Sequence, residues 1–178
     1  LQHEPDYALR DSARECGPAF SWVEISGSGQ PHNLPDDGYT YVALPRAFTF
    51  YGRPDASLYA GSNGQLTFNV SGPSYPGGNS IPDPFLPNNA LYPFWDDLNP
   101  ANGSQGVVYT QLVDDRYFVI EYDQVQHYPS GNPETFEALL GLDTGVLFFQ
   151  YLVVNDTHWP GWSATIDGRS SRNTVPSP

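Results

Sequence analysis

GVVYTQLV (106–113), the pair Asp114-Asp115 and RYFVIEYDQV (116–125) decide the fold. Alternation with period two is clear in Val108, Phe118, Ile120 and Tyr122, the mark of strands with one buried face. A two-residue turn between two such runs predicts a β-hairpin. A second hairpin follows, TFEALLGL (135–142) and VLFFQYLVV (146–154), joined by Asp143-Thr144-Gly145. VLFFQYL is apolar on both faces, which predicts a central strand.

Upstream, FSWVEIS (20–26), YTYVAL (39–44), AFTFYG (47–52), SLYAG (57–61) and QLTFNV (65–70) read as further strands bounded by Gly or Pro, with Ser62-Asn63-Gly64 as a tight turn. A long Pro/Gly/Asn loop then leads to YPFWDDL (92–98), and WSATIDG (162–168) is the last strand. The expectation is an all-β, antiparallel β-sandwich, jelly-roll or Ig-like, of about ten short strands. Residues 1–19 form an extended N-terminal segment, 20–168 the sandwich, and 169–178 a Ser/Pro-rich tail.

Composition agrees. The 178 residues suffice for one domain that buries roughly 70% of its unfolded-chain surface. Aromatic residues make up 15% and charged residues only 15%, which excludes a helical bundle. The net charge of -13 disfavours nucleic acid and anionic membranes, which need a basic surface. The seven cations are all Arg, so Schiff-base and phosphate-loop lysine chemistry is excluded. No apolar run of roughly 18 residues is present, so membrane insertion is not expected. A chain that opens at Leu1 and holds no Met is expected to be a processed or excised product, mature and soluble.

Three N-x-S/T triplets, at Asn69, Asn102 and Asn155, point to covalent glycans and hence to an extracellular or cell-surface location. Cys16 has no partner for an internal disulfide. It reads as a small, at least half-buried residue, with an intermolecular bridge as the functional alternative.

The run RDSARECGPAFSWVEISGSG (10–29) resembles the opening of a nidogen-like β-sandwich domain, known from secreted bacterial and eukaryotic surface proteins. LPRAFTFYGRPDASLYAGSNGQLTF (44–68), NNALYPFWDDLNP (88–100), RYFVIEYDQVQHY (116–128) and ETFEALLGLDTGVLFFQY (134–151) are similar to further ordered blocks of that domain. The likeness covers Tyr7 to Gly168. It departs at Cys16-Gly17, where the domain often has Gly-Gly, at Tyr122, where it has Trp, and at Ala164-Thr165-Ile166-Asp167. The resemblance implies an adhesive, matrix or accessory module with no shared catalytic residues.

Phe94-Trp95-Asp96-Asp97-Leu98-Asn99 is the most pointed chemical feature. Asp96, Asp97 and Asn99 offer hard oxygen ligands for a structural Ca²⁺, or an acid/base pair; the structural reading is one aspartate capping the following loop. Glu121, Asp123 and His127 can be drawn as a hydrolase site, but no nucleophile signature accompanies them, and a solvated strand edge is the plainer reading. The histidines lack zinc spacing. Trp159, Trp162, Tyr75 and Tyr128 lie in loop-like segments and offer rings for sugars or a partner, with core packing as the alternative for Trp162.

Sheet edges are templates for a strand from another chain. If Tyr7 and Leu9 of one subunit complete the sheet of the next, with Cys16 nearby, identical subunits join head to tail into a homopolymer. The alternative is that residues 6 to 12 run along their own domain. The sequence thus points to a non-enzymatic secreted structural or adhesive glycoprotein, plausible as a filament subunit joined by N-terminal strand addition. A carbohydrate- or matrix-binding accessory domain of a larger secreted hydrolase is the alternative.

Overall fold

The computed structural model describes residues 7–68, 89–102 and 106–155, and the backbone of 165–167. Its strands are β1 (Gln30–His32), β2 (Tyr39–Phe50), β3 (Arg53–Gly61), β4 (Leu66–Thr67), β5 (Ala90–Tyr92), β6 (Leu98–Asn99), β7 (Val107–Val113), β8 (Tyr117–His127), β9 (Pro133–Gly141), β10 (Leu147–Val153) and β11 (Thr165–Asp167). A six-stranded sheet runs β1-β7-β8-β9-β10 with β6 paired to β8, and a five-stranded sheet runs β11-β5-β4-β3-β2. All pairings are antiparallel, so the chain is the all-β sandwich its alternation predicts. Among the described residues no helix is long and apolar enough to cross a membrane.

The core lies between the sheets. Phe118, Ile120 and Tyr122 of β8 and Phe136, Ala138 and Leu140 of β9 meet Phe48, Phe50, Leu58 and Leu66 of the opposite sheet. Tyr122 stacks on Phe136 at 4.5 Å between centroids, and its buried hydroxyl donates to the Gly61 carbonyl at 2.9 Å, bonding one sheet to the other. The Asp114-Asp115 turn is formed as predicted, with φ of 52° and 51° and Arg116 N donating to Val113 O at 3.0 Å.

Several expectations are corrected. YTYVAL and AFTFYG are one strand, β2, which continues through Pro45 across an irregular register between Ala43 and Phe48. YPFWDDL is broken into β5 and β6, because Pro93 has no N–H to give a ladder. VLFFQYL is not central: among the described strands, β10 ends its sheet. It is apolar on both faces because both are covered, with Leu147, Phe149 and Tyr151 against the core and Phe148 in a second apolar cluster outside it.

The outer cluster explains the largest correction. FSWVEIS pairs with no strand among the described residues and turns at Ser26. It is a strap that crosses the outer face of the six-stranded sheet, from β10 over β9 and β8 to β7. The Gln150 side chain accepts from Ser21 N at 2.8 Å and donates to Ser21 O at 2.7 Å. Val23 N donates to Glu137 Oε1 at 3.1 Å, Ile25 N to Glu121 Oε2 at 2.9 Å, and Ser28 Oγ to Gln111 at 2.7 Å. Glu121, Glu137 and Gln150 are register neighbours on β8, β9 and β10, so one row of side chains supplies what a strand ladder would have supplied. Ile25 seals the strap against Val119 and Leu139.

Candidate functional site

The polar residues gather at one end of the sandwich, where the Pro35–Gly38 turn meets the FWDDL segment. Gly38 N donates to Pro35 O at 3.1 Å, and Asp37 takes a left-handed φ of 51°. Asn63, fully buried, holds the two segments together: its Nδ2 donates to Asp37 Oδ1 at 3.0 Å and its Oδ1 accepts from Leu98 N at 2.7 Å. Gly64 makes this close approach possible, since its φ is 78° and a Cβ there would stand 1.8 Å from the Phe94 carbonyl oxygen.

The result is a convergence of three carboxylates. One oxygen each from Asp36, Asp37 and Asp97 lies within 4.8 Å of the other two. Burial and the repulsion of Asp36, Asp37 and Asp96 push the Asp97 carboxyl above its usual range, and His127 pulls it partly back. This is the oxygen-only donor set that suits a hard divalent cation such as Ca²⁺.

The sequence pairs Asp96, Asp97 and Asn99 as ligands, and the structure divides them. Asp97 turns toward Asp36 and Asp37. Asp96 caps the loop, its Oδ1 accepting from Asp97 N at 2.7 Å, and its Oδ2 lies 3.5 Å from His127 Nδ1. Asn99 sits on β6 opposite Gln126. The contribution of Asp36 and Asp37 was hidden in the sequence, because they lie in a turn far from FWDDL along the chain and are brought to it by Asn63.

His127 ends β8 and is held on both ring nitrogens, with Nε2 3.1 Å from Glu134 Oε1. Glu134 is buried and its other oxygen accepts from Asn155 N at 2.8 Å. Glu121, read as part of a solvated edge, is fully buried under the strap and turned to the opposite face from Tyr122 and the core. The drawn Glu121, Asp123 and His127 site is therefore not assembled: Glu121 bonds the strap and His127 bonds Asp96 and Glu134.

The remaining expected sites fall as follows. Tyr7 packs on its own domain, its ring 5.6 Å from Phe50 and 5.1 Å from Tyr51, and burial raises its hydroxyl pKa to about 12. Leu9 is 70% exposed. Cys16, expected at least half-buried, is exposed on a left-handed residue with φ 63°, because the 11–17 segment makes only local turns beside the sandwich. Asn102 Nδ2 donates to Pro129 O at 2.8 Å, and the exposed Asn155 donates its Nδ2 to Pro133 O at 2.6 Å. Tyr128 is 52% exposed. Asn69, Tyr75, Trp159, Trp162 and residues 1–6 and 168–178 lie outside the described residues. Sequence reasoning missed the exposed pair Tyr39 and Tyr41, whose rings both meet Tyr59 edge-on, at 5.8 Å and 5.5 Å, at the β2 border.

No curated protein and no solved structure matches the chain. Residues 16–174 match the family described as NIDO related, so the chain, with its strap and two-sheet core, belongs to that family.

Proposed function

We propose that this NIDO-related domain works outside the cell as a structural or adhesive module without catalytic activity, and that copies of it join through the N-terminal segment into a filament. The observation that carries this reading is the seating of Tyr7. Its ring is half-buried against Phe50 and Tyr51 at the end of β2, and its hydroxyl donates to Thr49 O at 3.5 Å. Residues 8–16 are exposed and are held by local contacts such as Arg14 with Asp11 at 3.0 Å. A docked anchor on an exposed tether is the arrangement that exchanges between identical copies, since the neighbour's Tyr7 fills the same seat. Exchange in one direction leaves a free anchor at one end of the growing chain of subunits and a free seat at the other, so the chain extends without closing.

The reading predicts that Tyr7→Ala and deletion of residues 1–12 both convert assembled material to monomer. Sedimentation velocity and negative-stain imaging check it; unchanged assembly in both variants overturns it. Glycans on Asn102 and Asn155 belong to the same reading, and intact mass before and after enzymatic deglycosylation tests them.

A second reading rests on Tyr39, Tyr41 and Tyr59. Exposed rings on a sheet border suit the faces of sugars in an accessory carbohydrate- or matrix-binding domain. Tyr41→Ala then abolishes retention on polysaccharide while leaving the oligomeric state unchanged, the reverse of the pattern for Tyr7→Ala.

A further inference from the structure

The strap rests on two carboxylates that oppose each other directly, Glu121 on β8 and Glu137 on β9. Both are fully buried. Each spends one oxygen on a strap N–H: Glu121 Oε2 accepts from Ile25, and Glu137 Oε1 from Val23 and from Gln150 Nε2 at 2.8 Å. The second oxygens, Glu121 Oε1 and Glu137 Oε2, are buried without a hydrogen-bond partner among the described residues. Two such acceptors on directly opposed side chains are costly as a pair of anions, because like charges face each other in a buried site. A single proton changes one acceptor into a donor and satisfies both at once.

We infer that Glu121 and Glu137 share one proton between these oxygens, and that the proton makes the strap a pH-dependent latch over the outer face of the sheet. With the proton in place the pair carries one negative charge, matched by the two strap N–H groups and the Gln150 amide. When it leaves, two anions are confined beneath the strap, and the least costly relief is to lift residues 20–26 and let water reach them. Lifting also opens Val119, Leu139 and Phe148, the apolar residues that Ile25 and Val23 cover.

The groups around the pair reinforce this. Glu24 of the strap is negative and pushes both carboxyls toward the protonated form; Asp123 of β8 adds to this at Glu121, and Glu121 itself at Glu137. Tyr109 of β7 stands opposite Glu121, and Gln150 of β10 opposite Glu137; neither brings a positive charge. Burial is the larger cause, raising Glu121 to about 7 and Glu137 to about 8. The sign follows: a proton bound more tightly in the closed form favours closure at low pH, and closure weakens as pH rises from the ordinary glutamate range toward 7 to 8, levelling off above it.

The test is carbon NMR of the glutamate carboxyls in the full chain between about pH 5 and 9.5, with amide hydrogen exchange normalised to intrinsic rates at each pH. The expected result is a Glu121/Glu137 pair that keeps one proton past the ordinary glutamate range. Protection of the Val23 and Ile25 amides then falls by up to about tenfold per pH unit between the ordinary glutamate range and that titration and levels off above it, while ladder amides of β8 and β9 hold theirs. Glu137→Gln, which supplies a permanent donor toward Glu121, flattens the strap profile. The inference is overturned if both carboxyls ionise in the ordinary range, if strap and ladder amides share one pH slope, or if Glu137→Gln keeps the wild-type slope. Should Glu137→Gln not fold, the carboxyl titration of the unaltered chain decides alone.

Discussion

Asn63 shows how much one buried amide can organise. It satisfies Leu98 N and holds Asp37, so Asn63→Ala leaves a buried donor unpaired and frees the acidic turn. A loss of about 2–3 kcal/mol is expected by urea unfolding. Gly64→Ala faces both a forbidden φ and the Phe94 carbonyl, and should cost more than about 3 kcal/mol or prevent folding; circular dichroism of the purified variant reports which. At the carboxylate cluster, Asp97→Asn removes a charge that Asp36, Asp37 and Asp96 all oppose. Its melting temperature in chelator should therefore rise above that of the unaltered chain, and any gain from added calcium should disappear, as differential scanning fluorimetry would record. The Ser62-Asn63-Gly64 turn was legible because Asn-Gly has a local meaning. The meeting of Asp36, Asp37 and Asp97 was not, because it depends on a side chain that bridges two loops, and no local pattern encodes that bridge.

At the level of elements, the hairpins β7–β8 and β9–β10 were legible because their alternation, turns and register are all local. The strap was misread for a physical reason. Trp22-Val23-Glu24-Ile25 has the composition and the period of a strand, and it is indeed extended; what satisfies its N–H groups is a row of side chains, which leaves no trace in the strap's own sequence. The trace lies instead in Glu121 and Glu137, two charged residues inside otherwise apolar strand runs. Ile25→Ala removes the apolar half of the attachment, and at 1% exposure it should weaken strap closure by about 2–4 kcal/mol. Faster exchange at residues 21–26, with the β8 and β9 ladders unchanged, would check it. Tyr122→Phe breaks the bond to Gly61 O between the sheets and should cost about 1–2 kcal/mol by urea unfolding, with the fold retained.

For the whole molecule, the acids with raised pKa values set the pH response. Glu121, Glu137, Asp97 and Asp123 all bind a proton more tightly in the folded chain, and Glu24, lowered by its bonds to Ser26, works the other way. Stability should therefore fall as pH rises from the ordinary carboxylate range to about 8, where Glu137 is half-titrated, and level off above it. Urea unfolding at a mildly acidic and a mildly alkaline pH measures this; equal midpoints would contradict it. The crossing strap has one more consequence, which is mechanical. Because its bonds to Gln150, Glu137 and Glu121 stand one behind another along the direction of the chain, tension on the N-terminus loads them singly. They would peel in turn, Ser21 first, then Val23 and Ile25, with the Ser28 contact to Gln111 last, at low force, and only then would β1 be pulled against β7. A domain strung between neighbours would thus lengthen by a strap's worth of slack before its two sheets felt any strain.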